Sequence, residues 1–155
     1  MNNRESRSSL AGRVALVTGG SRGVGAATSK VLAARGANVI VNYFSNKEAA
    51  DKVVEDINKE ARGTEGYAIA IQADVREQTQ VEHIVKESIQ RYGRIDILVN
   101  NAMVGRYFLT PFLETTWNDF AEKFNDEIKS AYEVTRAVIP YMVKQNYGRI
   151  IYMLQ

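Results

Sequence analysis

The sequence predicts a doubly wound α/β domain, a parallel sheet of five strands with helices on both faces. Three observations predict it: five short runs that are almost continuously apolar, segments of helical period between them, and a glycine-rich turn directly after the first run. Continuous apolar runs mark strands buried on both faces, and the helices between them supply right-handed crossovers between parallel neighbours.

The first strand is Arg13 to Thr18, apolar and β-branched. Gly19 to Gly25 breaks it, and Val24, Ala27, Val31 and Ala34 then recur at helical spacing, which makes them the expected inward face of the first helix. Gly36 is placed to end that helix. The second strand is Asn38 to Tyr43, followed by a helix capped by Ser45 or Asn46, with Ala49, Val53 and Ile57 as its apolar line. The third strand spans Gly66 to Ala73, and its helix runs from Glu77 to Tyr92 with Val81, Ile84, Val85, Ser88 and Ile89 on one face and Gly93 at its end. After a fourth strand, Ile95 to Asn100, a loop containing Gly105 and Pro111 leads to a helix over 117–145. Its expected apolar face is Phe120, Phe124, Ile128, Tyr132, Thr135, Val138, Ile139 and Met142. Pro140 removes one backbone hydrogen bond there, so it either bends the helix or breaks it near Ile139. The fifth strand is Arg149 to Met153.

Residues 1–11 read as a disordered polar tail and 12–155 as one domain of ordinary globular composition, 45% hydrophobic and 25% charged. The 20 basic and 18 acidic residues are interspersed, so no basic stripe supports nucleic-acid binding. With no cysteine and one histidine, His83 on an expected surface helix, no metal site is predicted. The polar start and the lack of a long apolar run argue against a signal peptide or membrane span, and a cytoplasmic protein is expected.

In an open parallel sheet, ligands bind beyond the carboxyl ends of the strands, so the residues just past each strand carry the functional signal. After the first strand come Gly19, Gly20, Ser21, Arg22, Gly23, Val24 and Gly25, a turn whose backbone can approach a pyrophosphate at a helix N-terminus. Its spacing is not G-x-G-x-x-G and no Gly-Lys-Ser/Thr follows, which argues against a P-loop; a purely structural strand-to-helix turn remains open. No acidic residue occurs from Gly23 to Lys47, where an NAD site places a carboxylate for the ribose 2′-hydroxyl. The second strand instead ends in Tyr43, Phe44 and Ser45, with Arg22 and Lys47 near enough to meet a 2′-phosphate, so NADP(H) is favoured over NAD(H). The alternative is that Arg22 and Lys47 are solvated surface charges. Asp74 and Val75, past the third strand, offer an acceptor and an apolar flank for an adenine, although Asp74 can equally cap the next helix. Asn100, Asn101 and Ala102 end the fourth strand, where two amides can tie neighbouring loops together and the small alanine permits close approach of a cofactor ribose, with a structural Asx turn as the competing account.

Taken together, Thr18 to Gly25, Asp74-Val75, Leu98 to Ala102 and the Gly148 strand start resemble the short-chain dehydrogenase/reductase family from about Leu10 onward. Within it, the chain is most similar to 3-oxoacyl-acyl-carrier-protein reductases. The resemblance implies a Rossmann fold with strands in the order 3-2-1-4-5-6-7, of which this sequence is expected to hold five, in the order 3-2-1-4-5, truncated before strands 6 and 7, and an oxidoreductase acting on a small-molecule carbonyl or alcohol. It implies a serine, an asparagine and a Tyr-x-x-x-Lys helix as catalytic groups, the last beyond Gln155. This sequence has Met103 at the family's glycine position, Glu127 at the asparagine position and Gln155 at the serine position. No catalytic residue is assigned, and the chain is expected to be inactive alone. Tyr132, Tyr141, Tyr147 and Tyr152 read as core or surface tyrosines. The helix 117–145 is expected to mediate a homo-oligomer. The competing readings are a non-catalytic NADP(H)-binding module and a non-functional remnant.

Overall fold

The structure is a computed structural model and describes residues 9–61, 66–105 and 111–153. Five parallel strands form one sheet: β1 (Val14–Val17), β2 (Asn38–Tyr43), β3 (Ala68–Gln72), β4 (Ile97–Asn100) and β5 (Arg149–Tyr152), in the spatial order β3-β2-β1-β4-β5. Register is set along the centre by Leu16 opposite both Ile40 and Leu98. The order matches the expectation, with the reversal of direction between β1 and β4 opening a crevice at their carboxyl ends.

Alternation along the strands divides the core in two. Ala15, Val17, Val39 and Val41 face helices α1 (Gly23–Ala34) and α2 (Lys47–Glu60), while Val14, Leu16, Ile40 and Leu98 face α3 (Gln78–Tyr92) and α4 (Trp117–Lys144).

Three helical faces differ from the reading of the sequence. In α1 the expected line of Val24, Ala27, Val31 and Ala34 is exposed, and Gly25, Ser29 and Ala33 are buried instead. Small residues let this helix lie close to β1 and β2, and the buried Ser29 hydroxyl is satisfied by donating to Gly25 O at 2.9 Å. In α2 the buried line begins at Ala50 rather than Ala49. In α4 only Ser130, Val134, Val138 and Met142, spaced by four, are buried. Phe120, Phe124, Ile128 and Tyr132 lie on an exposed stripe, because the core side of the helix carries smaller residues.

Helix α4 runs unbroken through Pro140, so the break near Ile139 is overturned. Thr116 caps it in a reciprocal box with Asp119, and Asn46 caps α2 by accepting from Ala49 N at 2.9 Å. Helix α3 begins after Glu77, which removes Asp74 as its cap. Gly93 adopts φ +75° at its end, a left-handed geometry that glycine takes without strain.

At the amino ends of the strands Asp96 is fully buried and collects Arg13 Nη1 at 2.8 Å, Arg94 Nη2 at 2.6 Å and Val14 N at 3.0 Å. Nothing in the sequence pattern singled it out. No helix among the described residues is long and apolar enough to cross a membrane, and no cluster of three metal-ligating side chains occurs among them.

Candidate functional site

The carboxyl ends of β1 and β4 are laced together by Thr18 and Asn101. Thr18 Oγ1 accepts from Asn101 N and Ala102 N, both at 3.0 Å, and donates to Val99 O at 3.3 Å. Asn101 Nδ2 donates to Thr18 O at 3.0 Å and to Gly19 O at 3.2 Å. Through these bonds the residue past β4 holds the turn past β1. A β-carbon at Gly25 would lie 2.3 Å from Gly19 O and 2.5 Å from Asn101 Nδ2, so the turn tolerates no side chain there.

Helix α1 begins without a cap. Its N-cap is Arg22, which offers no acceptor, and its first turn holds no acidic residue, unlike the capped α2 and α4. The first-turn N–H groups therefore face the crevice with a positive dipole end and no side-chain acceptor on Arg22. That is the chemistry a pyrophosphate satisfies. Ser21, Arg22, Gly23 and Val24 lie at or near the surface beside it.

Asn42, at the end of β2, completes the frame. Its Oδ1 accepts from Gly19 N at 3.3 Å, its carbonyl accepts from Gly20 N at 2.8 Å, and its Nδ2 donates to Ala73 O at 3.0 Å. One buried amide thus ties the glycine turn to the ends of β2 and β3. Neither Thr18 nor Asn42 is among the site residues expected from the sequence; the signal that marks both is a polar residue ending an apolar strand.

Of Tyr43, Phe44 and Ser45, only Phe44 lines the crevice. Tyr43 is buried in the core beside α1 and α2, because alternation sends it to the face opposite Asn42, and Ser45 is exposed. Lys47 is engaged by Asp51 at 2.5 Å, whereas Arg22 makes no ion pair among the described residues. Tyr43 and Lys47 happen to carry the Tyr-x-x-x-Lys spacing, but the tyrosine is core and the lysine starts α2, so they do not form a helical pair facing the crevice.

Past β3, Asp74 is buried and accepts from the Arg76 guanidinium through Nη2 at 2.6 Å and Nε at 2.9 Å. The Arg76 hydrogen bonds hold its carboxyl below the usual aspartate range, against the opposing effect of burial. Asp74, Val75 and Phe44 border a cleft of about 160 Å³ that Ala102 and Met103 close on the far side. A second cleft, of about 70 Å³, lies between β4, β5 and α4, bordered by Asn101, Met103, Glu127 and Tyr152. Lys123 Nζ approaches Glu127 Oε1 to 2.6 Å as an ion contact and donates to Val104 O. Asn100 Nδ2, Thr135 Oγ1 and the Tyr152 hydroxyl form a chain at 3.1 and 2.9 Å along the same wall. Met103 and Glu127 are thus brought to one place, while Gln155 lies outside the described residues.

Residues 13–154 match the family described as short chain dehydrogenase. The chain is 42% identical over 142 residues to a 3-oxoacyl-[acyl-carrier-protein] reductase of Synechocystis, covering 92% of this chain and 55% of that protein. Among solved structures, a metagenomic short-chain oxidoreductase in complex with NADP aligns with a TM-score of 0.79 at 32% identity, covering 94% of this chain and 62% of the other. A short chain dehydrogenase from Burkholderia cenocepacia in complex with NADP gives 0.75 at 36% identity, covering 92% and 55%. The chain spans about half the length of the curated relatives it matches.

Proposed function

We propose, from the premise that this chain belongs to the short-chain dehydrogenase family, that it provides the cofactor-binding half of an NADP(H)-dependent oxidoreductase. Its substrate class is a small carbonyl compound or the corresponding alcohol. The observation that carries the reading is the uncapped start of α1 beside a glycine turn held open by Thr18, Asn42 and Asn101.

The residues present fit such a cofactor. The first turn of α1 offers N–H groups to a pyrophosphate, and the cleft between Phe44, Asp74 and Val75 offers an apolar slot with one buried acceptor to a purine. Arg22 supplies a positive charge at the turn, and the stretch from Gly23 to Lys47 has no carboxylate to oppose a 2′-phosphate. NADP(H), when bound, gives or takes a hydride at its nicotinamide; the chain's own groups hold it and exclude water. Beside the expected nicotinamide end stand Met103, the Lys123–Glu127 pair and Tyr152, whose hydroxyl is paired with Thr135; among the described residues no helical tyrosine–lysine pair faces it. On this reading residues 1–155 hold the cofactor and do not by themselves turn over a carbonyl substrate.

Fluorescence titration with NADPH and NADH tests this directly. NADPH should bind at least ~10-fold more tightly, since one charge-assisted contact contributes roughly 1.5 kcal/mol or more. Arg22→Ala should erase most of that preference. Equal affinity for the two cofactors overturns the NADP(H) assignment, and no binding of either favours a remnant without function. Carbonyl reduction by the 155-residue chain refutes the binding-only reading.

A further inference from the structure

We propose that Met103 is a specificity-determining residue: its side chain stands between the two clefts of the crevice and keeps a nicotinamide ring out of the narrower one, so that this chain takes a 2′-phosphorylated ADP-ribose as readily as the whole dinucleotide. The inference rests on the dinucleotide-binding reading and goes beyond it, to which part of the ligand contributes affinity.

The two clefts meet at one wall. Val75, Ala102 and Met103 border both the cleft of about 160 Å³ past β2 and β3 and the cleft of about 70 Å³ between β4, β5 and α4. Of the three, Val75 is buried and Ala102 half-buried, whereas Met103 is 48% exposed and is the one that rises above the wall. The floor beneath is closed, because a β-carbon on Gly19 would lie 2.8 Å from Ala102 Cα. A ligand that occupies both clefts at once therefore has to pass Met103.

The backbone that carries Met103 is held on both sides. Before it, Ala102 N donates to Thr18 Oγ1 at 3.0 Å; after it, Val104 O accepts from Lys123 Nζ, and that ammonium lies 2.6 Å from Glu127 Oε1. A β-carbon at Gly105 would meet Asp126 Oδ2 at 3.1 Å, so α4 sits close against the same segment. The side chain alone is left to move. Withdrawing it gives up its apolar contact with the wall and orders three rotatable bonds, and these costs offset what burial of a ring in the narrower cleft contributes. A side chain that merely covered the wall would, on removal, change the affinity of ligands with and without the ring alike. One that blocks the ring changes their ratio.

The test compares NADPH with 2′-phospho-ADP-ribose, which keeps the purine, both riboses and the phosphates and lacks only the nicotinamide ring. Dissociation constants are measured by calorimetry for the wild-type chain, Met103→Ala and Met103→Leu, with circular dichroism to confirm folding. The two ligands should bind the wild type within about 3-fold of each other, and Met103→Ala should favour NADPH by ~10-fold or more, the level that burial of a ring of this size supplies. Met103→Leu, which keeps the bulk, should match the wild type. The dihydronicotinamide emission should rise and shift to shorter wavelength on binding to Met103→Ala and not to the other two. A wild type that already prefers NADPH by ~10-fold, or a ratio that Met103→Ala leaves within about 3-fold, overturns the assignment of Met103 while the dinucleotide reading stands. If neither ligand binds the wild type or the variants, both fail.

Discussion

At the scale of single residues, the crevice is built from close approaches more than from charges. Gly25 is the tightest of them, because any side chain there meets the Gly19 carbonyl and the Asn101 amide. Gly25→Ala should destabilise the fold by about 1–3 kcal/mol, the usual cost of overpacking a well-filled position. It should also abolish dinucleotide binding, since relief of the clash has to move the glycine turn. Urea unfolding together with NADPH titration checks both, and a variant of wild-type stability and affinity would show that the turn is looser than the contacts imply. The necessity of glycine at this position was legible in the sequence. The roles of Thr18 and Asn42 were not, because each acts on a residue more than twenty positions away in the chain.

Among the elements, α4 departs furthest from simple amphipathic expectation. Its core line is narrow, and Trp117, Phe120, Phe124, Ile128 and Tyr132 stand exposed along it, with Phe120 and Phe124 stacked at 6.4 Å between centroids. A stripe of this kind on a monomer marks an interaction surface. The helix is accordingly expected to pair with a second copy of itself, which would let one set of side chains serve both protomers. Phe124→Glu should convert an associated species to a monomer at the same concentration without loss of helical content. Size-exclusion chromatography with light scattering checks this; a wild-type chain that is monomeric at every concentration tested would dispose of the idea. From sequence, the apolar residues of α4 formed one broad face. Only packing against β4 and β5 shows that smaller residues take the core and larger ones the surface.

Taken as a whole, the sheet separates function from anchorage. The carboxyl ends of the strands hold the crevice, and the amino ends hold Asp96 with its two arginines. Burial opposes ionisation of Asp96, but Arg94, Arg13 and the Val14 N–H outweigh it and keep its pKa below the ordinary value. Asp74 is lowered in the same sense, and Lys30 and Lys52 draw the exposed Asp56 down to about 2. A depressed carboxyl contributes stability above the unfolded-state pKa of about 3.9 and loses it as pH falls through the folded value. Stability should therefore be level from about pH 7 to 5 and decline below about pH 4. Asp96→Asn should flatten part of that decline and cost about 1–3 kcal/mol at neutral pH, since it weakens charge-assisted hydrogen bonds to two guanidinium groups that water still reaches. Urea midpoints across this range measure both effects, and an acid limb identical in wild type and variant would remove Asp96 as its source.

The amino-acid sequence by itself determined the α/β class, the number and order of the strands in the chain, and the glycine turn. These are local properties: apolar runs, helical period, and residues that only a tight turn accepts. It also placed Asp74, Asn101 and Phe44 at strand ends, where a parallel sheet gathers its ligand contacts. Tertiary structure alone decided which face of α1 and α4 meets the sheet, because helical spacing defines a stripe without saying whether the core has room for it. It decided that Tyr43 packs into the core while its neighbour Phe44 opens to the cleft. It also joined Arg76 to Asp74 and Phe44, a cluster drawn from the ends of two different strands and the turn that follows. Such meetings depend on the register of β2 against β3, and that register is a property of the assembled sheet.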